Sequence, residues 1–125
     1  MQYGTGNRSL LVGLDAALDF HFRLGPERVR RRIRSLADRL RAGLSEIPKV
    51  KINSPVHPAL AGAVVVYGVD GVPALEVQEG LWARRRLRVR SVGDPLGVRH
   101  SCQIYNSEAQ IDATLEVVRE LARKV

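Results

Sequence analysis

The run Val98-Arg99-His100-Ser101 is the stretch whose residue types and spacing best suit chemistry. It reads as a strand, and alternation along a strand sends Arg99 to one face and His100 to the other. An arginine on a strand is held by its backbone rather than by a loose loop. Its planar guanidinium can then grip a carboxylate through two parallel hydrogen bonds, which a lysine cannot do. A surface salt bridge would use the same residue equally well, so the pattern leaves both readings open. A second candidate lies at the other end of the chain. Gly4-Thr5-Gly6-Asn7 precedes a helical pattern, and backbone N–H groups at a helix start beside a hydroxyl suit a phosphate. The plainer use of such residues is a helix cap.

Other chemistry finds less support. His21 and His57 have no partner at metal-ligand spacing, His100 faces away from Arg99, and structural or solvent roles are expected for all three. Cys102 is the single cysteine, which excludes an intramolecular disulfide and a zinc site of several thiolates. It is expected to be a small, half-buried strand residue rather than a reactive thiol. No GxSxG elbow, P-loop or dinucleotide glycine fingerprint is present. The formal net charge is +7, from 20 basic and 13 acidic residues, and only Lys49, Lys51 and Lys124 of the basic ones are lysines. Such a balance attracts anions without specifying one. Arginine runs within residues 28–34 and 83–90 invite a nucleic-acid reading. The first run, however, lies on the polar face of a helix whose other face is core, with Glu27, Asp38 and Glu46 along the same helix, and the chain has few aromatic residues to stack bases. A solvated basic face is the expectation, and nucleic acid is not the expected partner.

These residues need elements to position them, and the hydrophobic periods supply a set. The 125 residues allow one domain. Residues 7 to about 24 form a helix that is apolar on several sides, which calls for a partner surface supplied elsewhere. Gly25-Pro26-Glu27 ends it and opens a second helix. There Val29, Ile33, Leu36, Ala37, Leu40, Leu44 and Ile47 form the inner stripe, and Arg28, Arg30, Arg31, Arg32, Arg34, Arg39 and Arg41 the outer face. Val50–Ile52 and Ala63–Val69 read as strands, the second of them central. Pro73 opens a helix to about Arg85, with Leu75, Leu81 and Trp82 expected in the core. Leu87–Val92 alternates as a strand with Arg88 and Arg90 on one face, and Val98–Tyr105 is another strand. Ser107 to Gln110 fits a capping box for the last helix, whose stripe is Ile111, Leu115, Val118, Ala122 and Val125. The fold class is therefore α+β: a small, mixed or mostly antiparallel sheet of three to four strands packed on helices, in the order ααββαββα.

Together these pieces resemble the C-terminal small domain of class V aminotransferase-type enzymes, the group that includes cysteine desulfurases and isopenicillin-N-epimerase-like proteins. Three stretches carry the resemblance: Tyr3-Gly4-Thr5-Gly6-Asn7 with the helix through Leu14 to Leu18; Leu87-Arg88-Val89-Arg90; and Val98 to Ser101 with Ile104-Tyr105-Asn106-Ser107-Glu108 and Ile111-Asp112. The resemblance implies residues 1–24 as an interface helix segment and 25–125 as the small domain. It implies pyridoxal phosphate as cofactor, with Thr5 and Gly4 contributing to its phosphate site, typically that of a neighbouring subunit. Arg99 would bind the α-carboxylate of an amino-acid substrate. The implied partners are a large cofactor-binding domain or a second subunit, in a homodimer.

Two departures from the family pattern qualify the expectation. The family anchors its cofactor through a lysine in a large N-terminal domain, and none of the three lysines here has that setting. The chain is thus expected to be an N-terminally truncated part, inactive alone. The loop Ser91–Gly97 also lacks the nucleophilic cysteine of desulfurases. That favours an aminotransferase, epimerase or lyase of amino acids, and no catalytic residue is assigned within the chain. The alternatives are a non-catalytic binding module that retains the fold, and a basic nucleic-acid-binding domain. No stretch has the length and apolarity of a membrane helix and no signal region is evident, so a cytoplasmic location is expected.

Overall fold

A computed structural model describes residues 6–124. The chain divides into two compact units, Met1–Arg31 and Arg32–Val125. In the first, helix α1 (Arg8–Leu24) starts where the Asn7 side chain accepts a hydrogen bond from the Leu10 N–H. That satisfies one of the donors a helix start leaves free. The helix ends at Gly25, whose φ of 84° few other residues tolerate, and Pro26 begins α2 (Pro26–Ser45) at once. None of the residues of α1 is buried, and Leu10, Leu11, Val12, Leu14, Phe20 and Phe22 all lie largely exposed. The expected apolar character of this helix is present, with no surface of its own unit to cover it.

The second unit holds the sheet. Strands β1 (Val50–Ile52), β2 (Val64–Val69), β3 (Arg90–Ser91) and β4 (Val98–Ser101) pair in the order β1-β2-β4-β3. Every pairing is antiparallel, in line with the α+β expectation, and β2 is central as expected. The alternating strand period separates two faces. Val65, Tyr67, Val69, Val98 and His100 point into the core. Leu36, Leu40 and Leu44 of α2 share that core with Val77 and Leu81 of α3 (Ala74–Arg85) and Leu115 and Val118 of α4 (Glu108–Ala122). Fully burying each such side chain contributes about 1.5–3 kcal/mol. Gly43 brings α2 and α4 close: a Cβ there would stand 2.8 Å from Leu115 Cδ2. Ser107 and Gln110 form the expected capping box at the start of α4.

Several expectations are corrected. Leu75 and Trp82 are exposed, at 54% and 41%, because α3 buries the stripe Ala74, Val77 and Leu81 instead. Strand pairing covers only Arg90–Ser91 and Val98–Ser101 of the two longer strands expected. The chain before Arg90 still alternates in exposure without a ladder, and beyond Ser101 it turns away once the Cys102 N–H has met the Ala63 carbonyl at 3.0 Å. Cys102 is fully buried rather than half-buried.

Arg41 leaves the outer face assigned to it and is buried at 6% exposure. Its guanidinium donates to Asp38 Oδ1 at 2.9 Å and to the carbonyls of Gly62 and Val64. Other arginines of α2 reach across to α4: Arg39 forms two 2.8 Å bonds to Asp112, and Arg32 grips Glu108 and the Asn106 carbonyl. Arg32, Arg39 and Arg41 are thus engaged by groups of their own unit.

A candidate carboxylate site on the open face of the sheet

The β4 strand realises the alternation on which the site depends. Val98 and His100 are buried, and Arg99 and Ser101 are exposed on the opposite face. His100 Nε2 meets the Tyr67 hydroxyl at 3.0 Å. Burial pushes the imidazole down to about 4, so the ring is neutral, and pushes the Tyr67 phenol up. His100 is therefore a structural residue that fixes the inner side of β4, and β2 and β3 flank the strand on both edges. Arg99 has Val66 as its partner on β2 and Arg90 as its partner on β3.

Gly97 sets the start of this strand. Its φ is 95°, and a Cβ would lie 2.6 Å from both the Tyr67 carbonyl carbon and the Gly68 Cα. Only a glycine lets the chain come so near β2 before Val98 pairs with Tyr67. The same loop organises α3, since Asp94 Oδ1 accepts from the Ala74 N–H at 3.0 Å, a capping role that Pro73 has no side chain to fill. On the other side, Gln78 Oε1 accepts from the Ser91 N–H at 2.6 Å, tying α3 to β3.

The result is an open cleft of about 630 Å³ between α3 and the outer face of β3 and β4. Arg88, Arg90 and Arg99 line it, with Ser101, Tyr105, Trp82, Gln78 and Glu79 among the others. The Trp82 ring has the Arg86 and Arg88 guanidinium carbons each 5.2 Å from its centroid, a cation–π arrangement on both. Among the described residues neither Arg90 nor Arg99 has an ion pair or a side-chain hydrogen bond. The cleft is thus positive, partly apolar, and supplied with planar donors and hydroxyls, a set suited to a carboxylate attached to a carbon chain.

Its donors do not suit an amine-anchored cofactor. No lysine lines it; Lys51 lies on the same sheet face but borders a separate depression with Asn53, Gly68 and Asp94. Gly4 and Thr5, the expected phosphate contacts, lie outside the described residues. The remaining candidates are accounted for locally. His57 Nδ1 accepts from the Ala59 N–H at 3.3 Å, and no cluster able to hold a metal ion occurs among the described residues. The Cys102 thiol is pushed up by burial, with Arg41 nearby pulling weakly the other way. It faces the core and not the cleft.

Sequence reasoning placed Arg99 and the shared face of Arg88 and Arg90. It missed Trp82 and Tyr105 as cleft residues and the register that sets Arg90 against Arg99. The alternation of Leu87 to Arg90 was the available signal for that register, but no sequence pattern gives the partner across the ladder.

The Aminotransferase class-V family profile matches residues 1–114. An isopenicillin N epimerase of Amycolatopsis lactamdurans is 32% identical over 123 residues, covering 96% of this chain and 31% of that protein. The apo cysteine desulfurase of Thermococcus onnurineus NA1 superposes with a TM-score of 0.85 at 26% identity, covering 99% of this chain and 33% of that one. The cystine C–S lyase C-DES, as a mutant with glycine covalently linked to the PLP cofactor, matches with a TM-score of 0.71 at 25% identity, covering 86% of this chain and 28% of the other. The chain thus spans about a third of the length of these relatives.

Proposed function

The chain belongs to the class V aminotransferase family, whose enzymes use pyridoxal phosphate, and on that premise we propose that it supplies the substrate-carboxylate wall of an enzyme acting on amino acids. Arg99 binds the α-carboxylate. The observation that carries this reading is the mounting of Arg99: outward from a strand paired on both edges, in a cleft, with no internal acid engaged to it among the described residues. Its fork holds the acid group in one plane and so orients the α-carbon and its proton. Ser101 and Tyr105 offer hydroxyls beside it. When bound, the cofactor supplies the electron sink that makes the α-proton labile. The residues described here bind and orient and do not anchor it.

The anchoring lysine then belongs to a large cofactor domain outside this sequence. Thr5 and Gly4, before α1, contribute to the cofactor phosphate site, and the exposed apolar face of α1 packs on the large domain or on a second subunit of a homodimer. Transamination, epimerisation and elimination all begin from the orientation that Arg99 provides. Desulfuration is disfavoured, because the loop 91–97 has no cysteine and Cys102 is buried with its thiol pushed up.

Incubating the purified chain with pyridoxal phosphate and an amino acid, then trapping with borohydride and mapping the peptides, tests the division of labour. The reading expects no selective labelling of Lys49, Lys51 or Lys124 and no conversion of the amino acid. Stoichiometric labelling of one lysine together with turnover would overturn it.

A further inference from the structure

The role given to Arg99 leaves its neighbour unexplained. Arg90 stands directly opposite Arg99 in the β3–β4 ladder, both are exposed, and both line the same cleft. Side chains directly opposed across antiparallel strands have Cβ atoms about 5 Å apart, and like charges so placed repel. Elsewhere the chain provides acids for its arginines, as in Arg32–Glu108, Arg39–Asp112, Arg84–Glu120 and Arg85–Glu116. At this one rung it opposes two guanidinium groups and engages neither among the described residues. Among the described residues, Glu79, on α3, is the only carboxylate lining the cleft, against Arg88, Arg90 and Arg99, so the lining stays positive.

One carboxylate is satisfied by one guanidinium fork. A second fork on the same rung calls for a second negative charge. We propose that Arg90 is a substrate-binding residue for a second anionic group, and that the substrate is an amino acid with an acidic side chain. Arg99 takes the α-carboxylate and Arg90 the distal acid, and Leu87, Val89 and Trp82 line the same cleft with apolar atoms. The assignment rests on the carboxylate reading of Arg99 and deepens it by fixing the substrate class.

The test follows the arginine Nε–Hε resonances of the purified chain at physiological salt during titration with glutarate, a five-carbon diacid, and with valerate, the five-carbon monoacid. Valerate should move the Arg99 resonance alone. Glutarate should move both Arg90 and Arg99 and saturate at least about fivefold lower in concentration, as one added charge-assisted hydrogen bond implies. Arg90→Gln should abolish that advantage and leave the valerate response of Arg99 intact, with the remaining amide spectrum reporting the fold. Arg28→Gln, which removes the same charge elsewhere, should leave the glutarate advantage in place. If Arg99 responds to both acids but glutarate has no advantage, or if Arg28→Gln erases it equally, the second anion site is wrong and the Arg99 reading survives. If neither acid moves Arg99, both fall.

Discussion

The Tyr67 hydroxyl and His100 Nε2 stand 3.0 Å apart in the core, and the residue next to His100 is Arg99, which faces the other way. A buried, hydrogen-bonded pair thus fixes the inner side of the strand that carries Arg99 on its outer side. Inward packing and outward exposure come from the same four residues.

That pair makes stability depend on pH in a defined direction. The imidazole ordinarily titrates at 6.5 and is pushed down to about 4 by burial. The unfolded chain therefore binds more protons between these values. Stability is fully present above pH 6.5 and falls as the pH drops toward 4, by about 2 kcal/mol between pH 7 and pH 5. Denaturant unfolding at the two pH values measures the loss, and His100→Gln should flatten the dependence. Glu108 is held down to about 2 chiefly by its hydrogen bond with Arg32, so its contribution is present above about pH 4.5 and is lost only as the pH falls from there toward 2, outside that window.

Gly97 should be among the least replaceable residues of the loop before β4. Gly97→Ala combines a left-handed φ with collision against the β2 backbone, and should cost more than about 3 kcal/mol in thermal or denaturant unfolding. Gly93 shares the positive φ, at 83°, but has open space around it. Gly93→Ala should cost only about 1 kcal/mol. Equal costs for the two would mean that the close approach of Gly97 to Tyr67 carries no weight.

Arg41 and Arg30 separate a buried arginine from an exposed one. Arg41→Ala strands the Gly62 and Val64 carbonyls and should cost about 2–4 kcal/mol. Arg30 pairs with Glu27 where both side chains are about two-thirds exposed, and Arg30→Ala should change stability by less than about 0.5 kcal/mol. Arg41→Lys should recover only part of the loss, since a single ammonium does not reproduce the fork that reaches Asp38 and two carbonyls. Urea midpoints for the three variants check the order.

What could be read from the sequence followed from local period. The β4 alternation gave opposite faces to Arg99 and His100, the capping box marked the start of α4, and Gly25-Pro26 marked the joint between α1 and α2. What could not be read depended on groups distant in sequence. Arg41 looked like one more member of a basic face, and only the carbonyls of residues 62 and 64 draw it inward. Trp82 looked like core because large aromatic side chains usually are, yet α3 is weakly patterned and two arginines beyond its end take the ring. The pairing of Arg90 with Arg99 was equally hidden, because register is a property of two strands.

The central claim is that Arg99 on the open sheet face binds the acid group of an amino acid. Trp82, the single tryptophan, lines the same cleft and gives a fluorescence signal from it. Titrating the chain with L-glutamate should give a saturable change in that emission, weakened at least about tenfold in Arg99→Gln, as loss of a charged hydrogen-bonding partner implies. Arg31→Gln should titrate like the parent. A response in Arg99→Gln that saturates at the parent concentration, or no saturable response in the parent, would contradict the account.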